Sequence, residues 1–170
     1  MKQPNNVFLV GPPGAGKSAV GRQLARMLYM TFVDSDDEIE ARTGVDIPFI
    51  FEKEGEEGFR KREAKVIDDL TSKDGIVLAT GGGAILNADS RSRLGGRGFV
   101  IYLRTSVDQQ LKRTSRGRGR PLLATDDPRA ILETLLAARE PLYLEIADLT
   151  VDTDARRVKA VAAEIVETIT

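Results

Sequence analysis

Gly11-Pro12-Pro13-Gly14-Ala15-Gly16-Lys17-Ser18 follows the apolar run Val7-Phe8-Leu9-Val10 and opens a stretch of helical periodicity. The spacing is GxxxxGK[ST], and its strand-then-helix setting is the one that gives the pattern meaning. Glycines let backbone amides curl round phosphate oxygens, and the following helix offers its free N-terminal N–H groups. Lys17 adds a point charge, and the Ser18 hydroxyl suits Mg²⁺. The expected nucleotide contacts are therefore Gly14, Ala15, Gly16, Lys17, Ser18 and Ala19, with Lys17 also catalytic and Ser18 also a metal ligand. The bland reading is a Gly-Pro turn that meets the pattern by chance.

Outward from this loop, short β-branched runs alternate with longer amphipathic stretches, the signature of βα units round a parallel sheet. Strands are predicted at 7–10, 31–33, 76–79, 99–103 and 149–151. Helices are predicted at 18–28, 37–43, 57–71, 87–94, 106–113, 128–146 and 155–169. Asp127 can cap the helix that Pro128 opens, and Pro141 is expected to kink or end it. The segment 114–127 carries Arg116, Arg118 and Arg120 with two glycines and no helical period. A loop of that length in a compact domain is usually functional.

The 170 residues suit one domain. A net charge of -1 argues against general affinity for nucleic acid or anionic membrane. There is no Cys and no His. Disulfides and thiolate chemistry are excluded, and proton transfer must fall to Asp, Glu, Lys or water. The polar N-terminus and the short apolar run after it point to a cytoplasmic protein without a membrane span.

A nucleotide-binding domain of this kind normally takes a second Mg²⁺ group from an Asp at the end of an apolar strand. The run Ile76-Val77-Leu78-Ala79 instead enters Thr80-Gly81-Gly82-Gly83. Asp34-Ser35-Asp36, after the strand at 31–33, is the obvious substitute, because ligands gather at the carboxyl ends of parallel strands. One of the two aspartates could merely cap the next helix.

The loop, Asp34-Ser35-Asp36, Phe59-Arg60-Lys61-Arg62-Glu63, Gly81-Gly82-Gly83, Arg120-Pro121-Leu122-Leu123 and Arg139 to Tyr143 occur in this order. In that order the chain resembles the shikimate kinases from Gly11 to Arg157. The resemblance implies an α/β, three-layer P-loop NTPase fold, with a five-stranded parallel sheet in the order 2-3-1-4-5 flanked by helices. It implies transfer of the γ-phosphoryl of ATP to a shikimate ring hydroxyl, on the route to chorismate and the aromatic amino acids, with Mg²⁺ as cofactor and a monomer as the default state. Asp36, Arg60, Arg139, Gly81, Gly82 and Gly83 would hold shikimate, with Asp36 also catalytic. Asp34 would reach the metal through water, and Phe51 and Phe59 would wall the ring. Arg120 would be a lid arginine at the phosphates, Arg113 and Arg156 would flank adenine, and Glu63 would orient Arg60.

The residue types suit such a substrate. A small carboxylate bearing hydroxyls needs forked cationic donors and hydrogen-bond acceptors. Each residue also has a plain reading. Arg60 could belong to a solvated face of spaced ion pairs, and Arg139 could be a surface arginine with its stem on apolar neighbours. The glycines could form only a tight turn, and the two Phe residues could be core. Other functions are open at this level: a kinase of the same fold acting on gluconate, a nucleoside monophosphate or a similar acceptor, or a non-catalytic nucleotide-dependent switch or RNA-binding P-loop protein using Lys112, Arg113, Arg116, Arg118 and Arg120 as a basic patch. That basic patch lacks the interleaved aromatics of nucleic-acid binders.

Overall fold

The all-apolar run that precedes the glycine loop is wholly buried and forms the middle strand of a parallel sheet. The computed structural model describes residues 3–114 and 127–170. In chain order the elements are β1 (Val7–Val10), α1 (Lys17–Leu28), β2 (Thr31–Asp34), α2 (Ser35–Thr43), α3 (Ile47–Thr71), β3 (Ile76–Ala79), a 3₁₀ turn (Ala84–Leu86), α4 (Ala88–Arg97), β4 (Phe99–Arg104), α5 (Val107–Thr114), α6 (Pro128–Ile146), β5 (Leu149–Asp152) and α7 (Val158–Ile169). The strand order is β2-β3-β1-β4-β5 and every pairing is parallel. The predicted α/β architecture and sheet order are thus observed.

Alternation along β1 divides the core. Val7 and Leu9 pack with Val20 and Leu24 of α1 and Val161 and Ile165 of α7. Phe8 and Val10 face the other way, toward Phe59, Ile67, Leu94 and Tyr143 of α3, α4 and α6. Burying both faces requires an unbroken apolar run, because successive side chains point to opposite sides.

One departure from the sequence reading has a clear cause. The helix expected at 57–71 begins at Ile47 and is interrupted by Gly55, whose φ of 72° and ψ of -178° no helix contains. Residues 47–54 form a helical segment of their own, opened by Asp46 accepting from Phe49 N at 2.9 Å and by Pro48. Of the two outcomes expected at Pro141, a kink or an end, the end does not occur: α6 spans the predicted Pro128–Ile146. Proline removes one helical hydrogen bond, and beyond it Tyr143 is fully buried in the core, so packing outweighs the loss. Asp127 caps α6 as expected, accepting from Ala130 N at 3.1 Å.

Helix α1 ends on Tyr29 in the left-handed region, φ 57° and ψ 44°, with the side chain 97% exposed. A non-glycine residue there costs about 1–2 kcal/mol, and the ring recovers nothing by burial. Tyr29→Gly removes that cost and adds a smaller one from unfolded-chain freedom. The expected gain is roughly 0.5–1 kcal/mol, about 1–4 °C in Tm for a chain of this size. Thermal unfolding of the two proteins checks this, and a lowered Tm for the variant refutes it.

Candidate active site

The phosphate loop joins β1 to α1 at the carboxyl end of the sheet. Gly11 has φ 148°, and a Cβ there would meet the Leu103 carbonyl oxygen at 2.5 Å. Gly16, at φ 89°, turns the chain into α1 without a side-chain cap. The loop thus presents backbone amides and a positive helix end to an anion. Lys17 Nζ curls over the loop, donating to Gly11 O at 2.5 Å and Pro12 O at 2.9 Å. Arg113 reaches in from α5 and donates to Gly14 O at 3.0 Å. Arg156 lies on the β5–α7 connection, donating to Asp152 O at 3.2 Å and Glu164 Oε2 at 2.6 Å.

Asp34 caps α2 with one carboxylate oxygen and meets Ser18 with the other. Oδ1 accepts from the amides of Asp36 at 2.9 Å and Asp37 at 3.1 Å, which caps α2. Oδ2 accepts from the Ser18 hydroxyl at 2.6 Å. A hydroxyl and a carboxylate this close, beside a phosphate loop, form a hard-oxygen pair that fits Mg²⁺. That ion usually takes only one or two protein ligands and fills the rest of its shell with phosphate oxygens and water.

The second half of the site is built on Gly81-Gly82-Gly83, between β3 and the 3₁₀ turn. A Cβ on Gly81 would stand 2.9 Å from Asp36 Oδ1 and 2.9 Å from Glu63 Oε2. On Gly82 it would meet Pro13 Cδ at 2.9 Å and Arg139 Nη1 at 3.5 Å, and on Gly83 it would lie within 2.6 Å of the Arg60 guanidinium carbon. None of the three has a positive φ. Glycine is needed here for close approach by Asp36, Glu63, Pro13 and Arg60, with no demand for unusual backbone. The contact of Pro13 with Gly82 also makes the phosphate loop and this turn a continuous surface.

Arg60 and Arg139 come from α3 and α6. Arg60 donates to Glu63 Oε1 at 2.8 Å and to Glu56 Oε1 at 3.4 Å, and its guanidinium lies 5.2 Å from the centre of the Phe59 ring. Arg139 is buried, at 4% exposure, which rules out the surface-arginine reading. Glu63 is buried too, and burial raises its pKa while Arg60 and then Arg139 oppose the rise. Arg60 Nε and Glu63 Oε2 are buried without a hydrogen-bond partner among the described residues. Unsatisfied buried polar atoms of this kind are rare and tend to mark functional sites. Phe51 and Phe59 lie beside this cluster with ring centres 4.8 Å apart. Phe59 is in the core and Phe51 is only partly buried.

Three contributors escaped sequence reading. Ser35, fully buried, accepts from Gly81 N at 3.2 Å. Thr80 donates its hydroxyl to Leu9 O at 2.8 Å, tying the end of β3 to β1. Tyr143 donates to Gly82 O at 2.5 Å. Each is a buried hydroxyl whose partner lies far along the chain, so no local pattern signals it. Arg120, Arg116, Arg118 and most of the predicted lid at 114–127 lie outside the described residues.

A phosphate loop on a 2-3-1-4-5 parallel sheet, with a polar acceptor cluster beside it, defines a P-loop kinase of small molecules. The family model described as shikimate kinase matches residues 13–170. The shikimate kinase of Shewanella amazonensis is 59% identical over 167 residues, 98% of each chain. Among solved structures, shikimate kinase from Acinetobacter baumannii in complex with shikimate superposes with a TM-score of 0.95 at 52% identity, covering 97% of this chain and 92% of that one. Shikimate kinase from Bacteroides thetaiotaomicron gives 0.88 at 26% identity, covering 97% and 98%. The chain belongs to the shikimate kinase family.

Because the folded pKa of Glu63 lies above its ordinary value of 4.5, the folded state binds the extra proton between that value and the raised one. Within that window the Glu63 contribution to stability must fall as pH rises. Glu63→Gln should remove this component. The stability difference, variant minus parent, should increase with pH above about 4.5. Denaturant unfolding of both proteins across pH 4.5–8 measures it, and a flat or decreasing difference refutes it.

Proposed function

We propose that this protein transfers the γ-phosphoryl group of ATP to a ring hydroxyl of shikimate, giving shikimate 3-phosphate and ADP within aromatic amino-acid synthesis. The observation that carries the reading is the convergence of Asp36, Arg60, Arg139 and the glycine turn on one surface touching the phosphate loop. In this reading the two guanidinium groups hold the acceptor's carboxylate as forked donors, and the turn accepts the ring at close range. Glu63 keeps Arg60 in place, and Phe51 and Phe59 form the apolar wall.

The loop amides of Gly14, Ala15, Gly16, Lys17, Ser18 and Ala19 hold the phosphates, and Lys17 follows the transferring group. Ser18 and Asp34 would hold Mg²⁺, Asp34 through water, and the ion would neutralise charge on the phosphate oxygens. Phosphoryl transfer passes through a loose transition state, so positioning and electrostatics carry most of it and the proton leaves late. Asp36 needs only to accept a hydrogen bond from the reacting hydroxyl, align it, and take its proton as the new P–O bond forms. Arg113 and Arg156 flank the nucleotide base, and Arg120 adds charge at the phosphates. The reading includes a monomer working in the cytoplasm without nucleic acid or membrane. No described helix is long and apolar enough to cross a membrane.

Purified protein with ATP and Mg²⁺ should release ADP with shikimate and not with gluconate or mononucleotides, measured in a coupled assay. Preference for another acceptor overturns the proposal. Lys17→Met should lower kcat by about a hundredfold or more with the fold intact by circular dichroism. Asp36→Asn should keep ATP binding and lose most turnover; a near-parent rate reduces Asp36 to a bystander.

A further inference from the structure

The glycine turn is held from beneath by a side chain that lies in the core. All three of its carbonyls are engaged: Gly81 O accepts from Ala84 N at 3.1 Å, Gly83 O from Leu86 N at 3.1 Å, and Gly82 O from the Tyr143 hydroxyl at 2.5 Å. Gly81 N donates to Ser35. No hydrogen bond among the described residues uses the amides of Gly82 or Gly83. Two backbone donors are thus available beside Arg60 and Arg139.

Tyr143 has little freedom to point elsewhere. Its ring is fully buried and stacked at 4.9 Å on Tyr102, whose own hydroxyl is tied to Glu140 Oε2 at 2.6 Å. Burial raises the Tyr143 pKa, with the neighbouring Arg139 cation opposing the rise, so the phenol remains a neutral donor at ordinary pH. The peptide unit is planar, and in the trans form its C=O and N–H point in opposite directions. No peptide bond among the described residues is cis. Drawing the Gly82 carbonyl toward the buried phenol therefore turns the Gly83 N–H away from it.

We propose that Tyr143 is a positioning residue for the acceptor, holding the Gly82–Gly83 peptide so that the Gly83 amide donates to an acceptor oxygen lodged between Arg60 and Arg139. The inference rests on the acceptor site assigned above and deepens it, because it makes part of the specificity depend on a residue that touches no substrate.

The test is Tyr143→Phe, which keeps the ring and its stack, beside Ile165→Val in the opposite core layer as a packing-loss control. Two readouts decide. In the substrate-free protein, the Gly83 amide resonance should shift and broaden in Tyr143→Phe and stay at its parent position in Ile165→Val. In steady state, Tyr143→Phe should raise the shikimate KM roughly fivefold to tenfold, the scale of one lost hydrogen bond. ATP affinity should stay within about twofold, and Ile165→Val should leave both constants at parent values. An unmoved Gly83 resonance, a shikimate KM no higher than in the control, or an equal loss of ATP affinity overturns the role. If the parent fails to turn over shikimate, the assigned reaction falls, and the Gly83 resonance alone decides whether Tyr143 sets the peptide.

Discussion

The pairing of β1 with β3 is the constraint on which the site depends. Leu9 stands opposite Ala79 in the parallel register, so the phosphate loop that leaves β1 and the glycine turn that leaves β3 emerge side by side. Thr80 strengthens this junction with both its amide and its hydroxyl on Leu9 O. From there Pro13 reaches Gly82. A donor and an acceptor bound to these two turns would be neighbours without any domain rearrangement, and such proximity is itself a large part of catalysis.

Around that junction the chain places charges where they are costly. Glu63 and Arg139 are buried and Arg60 is partly so. A buried ion pair seldom adds net stability over apolar packing, and breaking one is strongly destabilising. Arg60, Glu63 and Arg139 therefore make better sense as a preorganised receptor than as a device for folding. The same desolvation that raises the Glu63 pKa would strengthen the hold of the guanidinium groups on an anion.

How much of this could be read from sequence depended on the range of each interaction. The loop at Gly11–Ser18 is contiguous and its strand-helix setting is local, so the fold class and the phosphate-loop setting were legible. Sheet order was legible only through family resemblance, because strand neighbours are set by packing that no single run encodes. The cap reading of Asp34 is observed, and its other oxygen pairs with Ser18 sixteen residues away along the chain, a contact no local pattern encodes. The segment 47–54 was missed although Asp46 and Pro48 repeat the opening signal recognised at Asp127 and Pro128. The burial of Arg139 and the roles of Ser35 and Tyr143 follow from contacts across the fold, and residue type alone is silent on them.

The crowding at Gly81-Gly82-Gly83 also bears on how such a protein can diverge. At each of the three positions the first atom of any side chain meets a carboxylate, a proline ring or a guanidinium at close range. One of those neighbours, Glu63, is packed too deeply to move aside. A single replacement in the turn would thus displace Asp36, Glu63, Pro13 or Arg60 before it could reshape the surface. A change of acceptor would have to enter through the helices, by exchanging side chains on α3 or α6 that look onto the turn, while the glycines stay in place as a fixed floor.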